Sequence, residues 1–203
     1  MIRECCVDTI PDAIQAELAG ADQLEWCADL NQDGLTPDYK TTLTLLQYVK
    51  IPVKVMIRSR PGDFIYSRAE IKEMTDQASE FSSLPGVSGL VFGAATNEKS
   101  LDVKSLIAII RHSQGKPLTV HKAIDTCFNI LTEVCRLNNI PGVEFILTSG
   151  GKTTAWAGRG MISEMQKIFN GKIIAAGKIN PENLRTLHAN LSLDYYHGRR
   201  IVG

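Results

Sequence analysis

Short apolar runs alternate with amphipathic helical segments along this sequence, and no other feature constrains the fold as strongly. Eight strand segments and seven helical segments follow one another in strict order, in units of roughly 25 residues. Consecutive strands that are separated by helices pair in parallel through right-handed crossovers. Eight such units predict an α/β protein with a parallel (β/α)8 TIM-type barrel, for which about 200 residues is the lower size limit.

The segment boundaries follow from apolar periodicity and from proline or glycine at helix ends. The predicted strands are 3–7, 23–28, 53–57, 87–93, 117–123, 143–148, 172–176 and 193–198. The predicted helices are 11–19, 39–49, 68–81, 101–111, 129–137, 161–169 and 181–191, and the sequence ends too soon for a regular eighth helix. The rival, a doubly wound open sheet, usually has a glycine-rich turn after its first strand, and residues 7–11 contain no glycine. Without a linker-like segment, we expect one domain over 1–203.

Composition argues against several classes of function. Lys+Arg and Asp+Glu both number 22, so the basic excess typical of nucleic-acid-binding proteins is missing. No apolar run approaches the roughly 20 residues that span a bilayer, and the N-terminus lacks the apolar core of a signal peptide. The five cysteines are an odd number without a CxxC motif, which indicates reduced thiols. We therefore expect a cytoplasmic protein that binds neither nucleic acid nor membranes.

Polar residues collect near the C-terminal ends of the predicted strands, which is where TIM barrels carry their chemistry. Arg58 and Arg60 end the third strand and, being two residues apart, should project from one face, with Asp63 in the loop that follows. His121 and Asp125 should share a face of the fifth strand. The remaining candidates near strand ends are Glu4, Glu25, Thr148, Ser149, Gly150, Gly177 and His197.

We call this ring of polar residues at the strand ends the rim. It predicts a site for a small phosphorylated or carboxylated metabolite. Arg58 and Arg60 would bind the anion, and the imidazole and carboxyl groups would transfer protons; these candidate catalytic residues are Glu4, Glu25, His121, Asp125 and His197. Backbone N–H groups at Gly150 and Gly177 would approach the ligand closely. Structural roles are the alternative: glutamates paired inside the barrel, hydrogen-bonded core histidines and tight glycine turns.

The cysteines permit a second interpretation. Adjacent Cys5 and Cys6 point to opposite faces of a regular strand, so only Cys6, on the face of Glu4, can join Cys27 on the neighbouring strand. Two thiolates near a histidine would bind a soft metal ion such as Cu(I). Alternatively, both cysteines pack as small apolar core residues, which is the commoner role of free cysteine.

Several segments together resemble one family, the copper homeostasis protein CutC family. The similarity is strongest over 56–67, which matches the family's M-I-R-P-R-G-G-D-F-x-Y-S pattern except at Ser59 and Pro61. Lys122 is another departure, because the family has arginine there. The other similar segments are 4–8, 20–27, 33–38, 89–93, 119–125, 147–150 and 195–199.

The resemblance implies a TIM-type barrel, a cytoplasmic homo-oligomer and a role in copper homeostasis with copper binding. The family's motif positions at the barrel mouth correspond here to Glu4, Glu25, Arg58, Arg60, Asp63, His121, Asp125 and His197. Three functions stay open from the sequence. They are Cu(I) binding through Cys6 and Cys27, acid/base catalysis on a small anion, and a non-catalytic barrel that serves as an interaction module.

Overall fold

Eight parallel strands close into a barrel in the order of the sequence, in a computed structural model that describes all 203 residues. The strands are β1 Ile2–Val7, β2 Gln23–Trp26, β3 Val53–Met56, β4 Val87–Phe92, β5 Leu118–Val120, β6 Val143–Thr148, β7 Lys172–Ala175 and β8 Tyr195–Gly198. The helices are α1 Ile10–Leu18, α2 Tyr39–Tyr48, α3 Arg68–Ser82, α4 Val103–His112, α5 Ile130–Leu137, α6 Ala155–Ile168 and α7 Pro181–Leu191. The predicted barrel is confirmed.

Seven helices are present, as predicted, although α6 begins earlier than expected, and residues 199–203 after β8 form no helix. Two short 3₁₀ helices are also present: Leu30–Gln32 lies in a predicted loop, and Lys122–Thr126 begins where the predicted fifth strand was expected to continue to 123. No helix has the length and apolar character that crossing a bilayer requires.

Helix starts follow from local capping chemistry. The Ser67 hydroxyl accepts a hydrogen bond from the Glu70 N–H, and the Glu70 carboxylate accepts one from the Ser67 N–H, which forms a capping box at α3. At α6, Thr154 caps the helix by accepting from the Ala157 N–H, so the helix begins at Ala155 rather than at the predicted 161. Gly158 and Gly160 weaken the apolar periodicity of this first turn, which is why the sequence pattern misses it.

Two apolar layers result from the alternation of side chains along the strands. Most of the core lies between the outer face of the barrel and the helices. Inside the barrel are two small apolar groups, one of Cys6, Cys27, Met56 and Val91, the other of Leu147, Ile174 and Ala176. The interior also contains charged residues, which determine the chemistry of the site.

The close contact between α6 and the loop directly after β6 depends on the absence of side chains at two glycines. A Cβ at Gly158 would lie 1.8 Å from the Ser149 carbonyl oxygen, and a Cβ at Gly150 would lie 2.4 Å from the Gly158 oxygen. Gly150 also has a φ of +66°, which disfavours any other residue. This contact positions the loop after β6 at the mouth of the barrel.

We expect Gly158→Ala to destabilise the protein by about 3 kcal/mol or more, because backbone atoms cannot move away cheaply. Gly160→Ala is the matched control in the same helix: its Cβ meets nothing within 4 Å, so it should stabilise α6 by up to about 1 kcal/mol. Urea unfolding of both variants measures the two effects. Equal stability of the two variants would contradict the proposed packing.

Candidate active site and thiol cluster at the barrel mouth

A cavity of about 510 Å³ opens at the C-terminal ends of the strands. Loops and strand ends from all around the barrel contribute to its wall. The predicted site residues that line it are Cys6, Glu25, Arg58, His121, Asp125, Ser149, Gly177 and His197. We call this space the mouth cavity.

The Glu4 carboxylate lies beneath the mouth cavity, fully buried in the barrel interior. Its Oε2 accepts a 2.6 Å hydrogen bond from Gln23 Nε2 and lies 3.1 Å from Lys54 Nζ, and its Oε1 lies 2.9 Å from His197 Nδ1. Burial opposes ionisation, but Lys54 and His197 outweigh it and lower the pKa of Glu4 to about 2. Glu4 is therefore an ionised anchor for the residues around it.

His197 connects this anchor to the mouth cavity. With Nδ1 held by Glu4, the other ring nitrogen is available to groups above it, and the Glu4, Glu25 and His197 ligand atoms all lie within 4.8 Å of one another. Burial disfavours the imidazolium, but Glu25, Cys6 and Glu4 together raise the pKa of His197 well above its usual value. His197 is therefore a half-buried cation among acidic groups.

Cys6, Cys27 and Glu25 form a compact thiol–carboxylate cluster. The Cys6 Sγ lies 3.7 Å from the Cys27 Sγ, and the two thiols donate to Glu25 Oε1 over 3.5 and 3.6 Å. Glu25 Oε2 is buried without a hydrogen-bond partner. As predicted, Cys6 rather than Cys5 joins Cys27, because Cys5 packs in the outer apolar layer.

Protons are held tightly in this cluster. Burial raises the pKa of Glu25. The Cys27 side chain raises the pKa of Cys6 well above its usual value, with burial and Glu25 acting in the same direction. The hydrogen bond from Cys6 lowers the pKa of Cys27, but burial and Glu25 outweigh it and raise that pKa to about 11. Both thiols are thus protonated at neutral pH.

Arg58 and Arg60 do not point the same way, in contrast to the prediction. Strand β3 ends at Met56, so the two-residue alternation of a strand no longer applies to them. Arg58 is buried: its Nη1 donates to the Gln32 and Gly34 carbonyl oxygens and its Nη2 to that of Gly62. Arg58 therefore ties the loops after β2 and β3 together.

Arg60 and Asp63 lie outside the mouth cavity. The Arg60 guanidinium forms ion pairs with Asp63, at 3.0 Å, and with Glu70, while the Asp63 side chain is 65% exposed. These contacts hold the loop before α3 and leave no role for either residue at the predicted rim.

Asp125 is not on the fifth strand, in contrast to the prediction, because β5 ends at Val120 and Asp125 belongs to the 3₁₀ helix. Its carboxylate accepts hydrogen bonds from the Thr148 hydroxyl, the Ser149 N–H and hydroxyl, and the Gly151 N–H. Asp125 thereby fixes the loop after β6, and its acceptor capacity is largely used.

Gly150 and Gly177 allow close backbone packing at this end of the barrel. The Gly150 N–H donates to the Thr148 hydroxyl over 2.8 Å. Gly177 has a φ of +113°, and its carbonyl oxygen accepts from the Ala155 N–H at the start of α6. The structural interpretation of these glycines, tight turns after strands, thus accounts for their geometry.

His121 is buried and forms the cap of the 3₁₀ helix. Its Nδ1 accepts a 3.1 Å hydrogen bond from the Ala123 N–H, and its Nε2 has no partner. Burial, assisted by the charge of Arg58, lowers the pKa of His121 to about 3. The imidazole is therefore neutral at physiological pH.

The prediction from sequence missed four residues that shape this region: Gln23, Lys54, Phe64 and Gly93. Alternation along the strands could have identified Gln23 and Lys54, which lie two residues before Glu25 and Met56 and so share their inward face. Phe64 packs on His121 with 4.8 Å between ring centroids, a loop contact without any local signal.

We expect Lys54→Met to cost about 3–5 kcal/mol, because it leaves the Glu4 carboxylate buried with less compensation. The double variant Glu4→Gln/Lys54→Met should recover much of this loss, and Lys72→Met, in the exposed Lys72–Asp76 pair, should change little.

Since the pKa of Glu4 is lowered from 4.5, its stabilising effect is present above that pH and is lost as pH falls towards 2. Urea unfolding across this range tests both statements, and a wild-type acid response in Glu4→Gln would contradict the second.

Comparisons with known proteins agree with this architecture. The family model described as the CutC family matches residues 1–202. A CutC family protein of Pasteurella multocida is 35% identical over 196 residues, covering 96% of this chain and 80% of the relative. A protein of Caenorhabditis elegans named copper homeostasis protein cutC homolog is 36% identical over 203 residues, covering 98% of this chain and 80% of its own.

A solved structure gives the same result at the level of the fold. The crystal structure of a CutC protein from Streptococcus agalactiae superposes with a TM-score of 0.93 at 26% identity, and the match covers 100% of both chains. The family model, the relatives and this structure all extend over nearly the whole barrel. The chain therefore belongs to the CutC family.

Proposed function

We propose that this chain contributes to copper homeostasis by binding Cu(I) through Cys6 and Cys27. The observation that carries the proposal is the 3.7 Å separation of the two Sγ atoms, with Cys6 on β1 in the wall of the mouth cavity and Cys27 directly after the neighbouring strand β2. Soft thiolates select Cu(I) over harder ions, and a buried apolar setting with Met56 nearby protects the reduced ion from water.

The residues around the thiols fit this role. Cu(I) would be held by the two sulfur atoms, with the Glu25 carboxylate beside them as a third donor. Thiols must lose their protons to bind a metal, and the unpartnered Glu25 Oε2 can accept one of them. His197 supplies positive charge that offsets the negative charge of the thiolates.

The proposal includes a cytoplasmic location and assembly into a homo-oligomer. All five cysteines are free, which is typical of a reducing compartment, where copper is also Cu(I). Exposed apolar side chains on α1 and α2, Leu18, Leu43 and Tyr48, support a contact with a second copy of the chain.

We expect Cys6→Ser and Cys27→Ser each to reduce Cu(I) retention from one equivalent to a small fraction, because each removes one of two thiolate ligands. Competition with a colorimetric Cu(I) chelator under anaerobic conditions measures this retention. Cys5→Ser is the matched control, since Cys5 lies on the same strand but faces the outer layer, and should behave as wild type. Full retention by both cluster variants would contradict the proposed ligands.

Copper affinity should also depend on pH. The thiols are protonated at neutral pH because the pKa of Cys27 is raised to about 11 and that of Cys6 is raised well above its usual value. Cu(I) uptake then displaces two thiol protons, so affinity should rise about tenfold per pH unit when Glu25 keeps one of them and up to about 100-fold when both leave the protein. Chelator competition between about pH 6 and pH 8 measures the slope, and an affinity independent of pH would exclude thiol deprotonation.

A second candidate function is catalysis by acid/base chemistry on a small anionic metabolite. Its supporting observation is a set of buried polar atoms in the mouth-cavity residues that have no partner in the protein: Glu25 Oε2, Arg58 Nε and His121 Nε2. Unpartnered buried polar groups are rare in structural sites and are typical of sites that receive a ligand.

For this second function, we expect the wild-type protein to consume at least one anionic metabolite from a cell extract, and His121→Phe to leave it unchanged. Mass spectrometry of the extract before and after incubation identifies the compound. Cys5→Ser serves as the control with wild-type turnover. Equal consumption by His121→Phe would contradict a role of the mouth cavity in the reaction.

A further inference from the structure

We propose that Arg58 and His121 form an oxyanion subsite in the wall of the mouth cavity. The subsite would bind the carboxylate or phosphate group of a small metabolite through Arg58 Nε–H and His121 Nε2–H. This inference specifies the ligand of the second candidate function and rests on it, but it is independent of the thiol cluster.

His121 is a hydrogen-bond donor at the nitrogen that has no partner. Its Nδ1 accepts the Ala123 N–H, so Nδ1 carries a lone pair and the proton of the neutral ring must be on Nε2. Nε2 is buried without an acceptor, although the residue lines the mouth cavity. An unpaired buried N–H costs free energy that a ligand oxygen would remove.

Arg58 supplies the second donor and the positive charge. The three carbonyl oxygens that its Nη atoms bind hold the guanidinium in one orientation, so little side-chain freedom is lost when a ligand binds. Its Nε has no partner, and the residue is 3% exposed. Carbonyl oxygens leave the charge of Arg58 uncompensated, which favours an anion over a neutral acceptor.

Phe64 joins the two donors into one unit. Its ring centroid lies 4.8 Å from that of the His121 ring and 5.2 Å from the Arg58 Cζ, so one aromatic ring packs against both groups. His121 is 4% exposed, so both donors are pre-organised by packing rather than free in solvent.

The surroundings of the subsite also favour an anionic ligand. Besides Arg58, four basic residues line the mouth cavity, and together they outnumber its three carboxylates, Glu25, Asp33 and Asp125; the four are Lys122, Lys152, Lys178 and Arg199. Among these carboxylates, Asp125 is the nearest to His121 in the sequence. It already accepts four hydrogen bonds from β6 and the loop after it, so its oxygen atoms are occupied. The basic side chains would attract an anion to the cavity, and the two buried donors would then fix its oxygen atoms.

The position of the His121 ring depends on Gly93, the first residue after β4. A Cβ at Gly93 would lie 2.6 Å from His121 Nδ1 and 2.9 Å from the Ala123 Cβ. Only glycine therefore allows the ring to lie over β4 with Nδ1 on the Ala123 N–H. This makes Gly93 a positioning residue, and it permits a test that moves the imidazole without removing it.

Binding of oxalate and of inorganic phosphate to the full chain tests this inference, with isothermal titration calorimetry for the affinity of every variant and NMR of ¹⁵N-labelled histidine for the position of the anion in the wild-type protein. We expect at least one anion to bind with a Kd of about 1 mM or lower and to shift the His121 Nε2–H resonance. His121→Phe, which retains an aromatic ring, and Gly93→Ala should each weaken binding at least tenfold, to a Kd of about 10 mM. His112→Phe changes an exposed histidine on α4 and is the matched control, with wild-type affinity.

The possible outcomes separate the proposals. Binding of oxalate alone indicates a carboxylate ligand, and binding of phosphate alone indicates a phosphoryl ligand; both support the subsite. Acetamide, a neutral acceptor, should leave the resonance unchanged. No response of the His121 resonance to either anion overturns the subsite, as does unchanged affinity in His121→Phe. Anion binding without turnover of any metabolite contradicts only the second candidate function, and Cu(I) retention by His121→Phe should remain complete.

Discussion

The buried carboxylate of Glu4 is the interaction on which the interior of this barrel depends. It receives Gln23 from β2, Lys54 from β3 and His197 from β8, so one side chain connects four consecutive strands of the closed sheet. A charge in this position is stable only because its partners are charged or hydrogen-bonded and are fixed by strand register. Glu4 pairs in register with Gln23 on one side and His197 on the other, where the barrel closes.

This charged layer lies beneath the mouth cavity, and the wall of the cavity has two chemically different sides. Strands β1 and β2 contribute the thiols and Glu25, a soft and proton-rich cluster. The loops after β3 and β5 contribute Arg58 and His121, two hard hydrogen-bond donors. A soft metal ion and an oxyanion would thus be recognised by different groups, which explains how one barrel mouth can support both proposals.

Two charged residues predicted at the rim, Arg60 outside the mouth cavity and Asp125 in its wall, use their hydrogen-bonding groups to stabilise loops. Arg60 donates hydrogen bonds to Asp63, Glu70 and nearby carbonyl oxygens, and Asp125 accepts hydrogen bonds from the loop after β6. Long loops carry many backbone groups that a helix or strand would otherwise satisfy, and buried ones need a partner. These ion pairs and hydrogen bonds satisfy those groups and hold the cavity wall in place.

The amino-acid sequence by itself determined the barrel, its seven helices and the pairing of Cys6 with Cys27, because these follow from periodicities of two and 3.6 residues along the chain. It also identified Glu25, Arg58, His121 and His197 as residues of one cavity. Only the tertiary structure decided what each of them binds. β3 and β5 stop at Met56 and Val120, so the orientations of Arg60 and Asp125 depend on loop contacts that have no period. Partners such as Lys54 for Glu4 and Phe64 for His121 are distant in sequence, and only barrel closure brings them together.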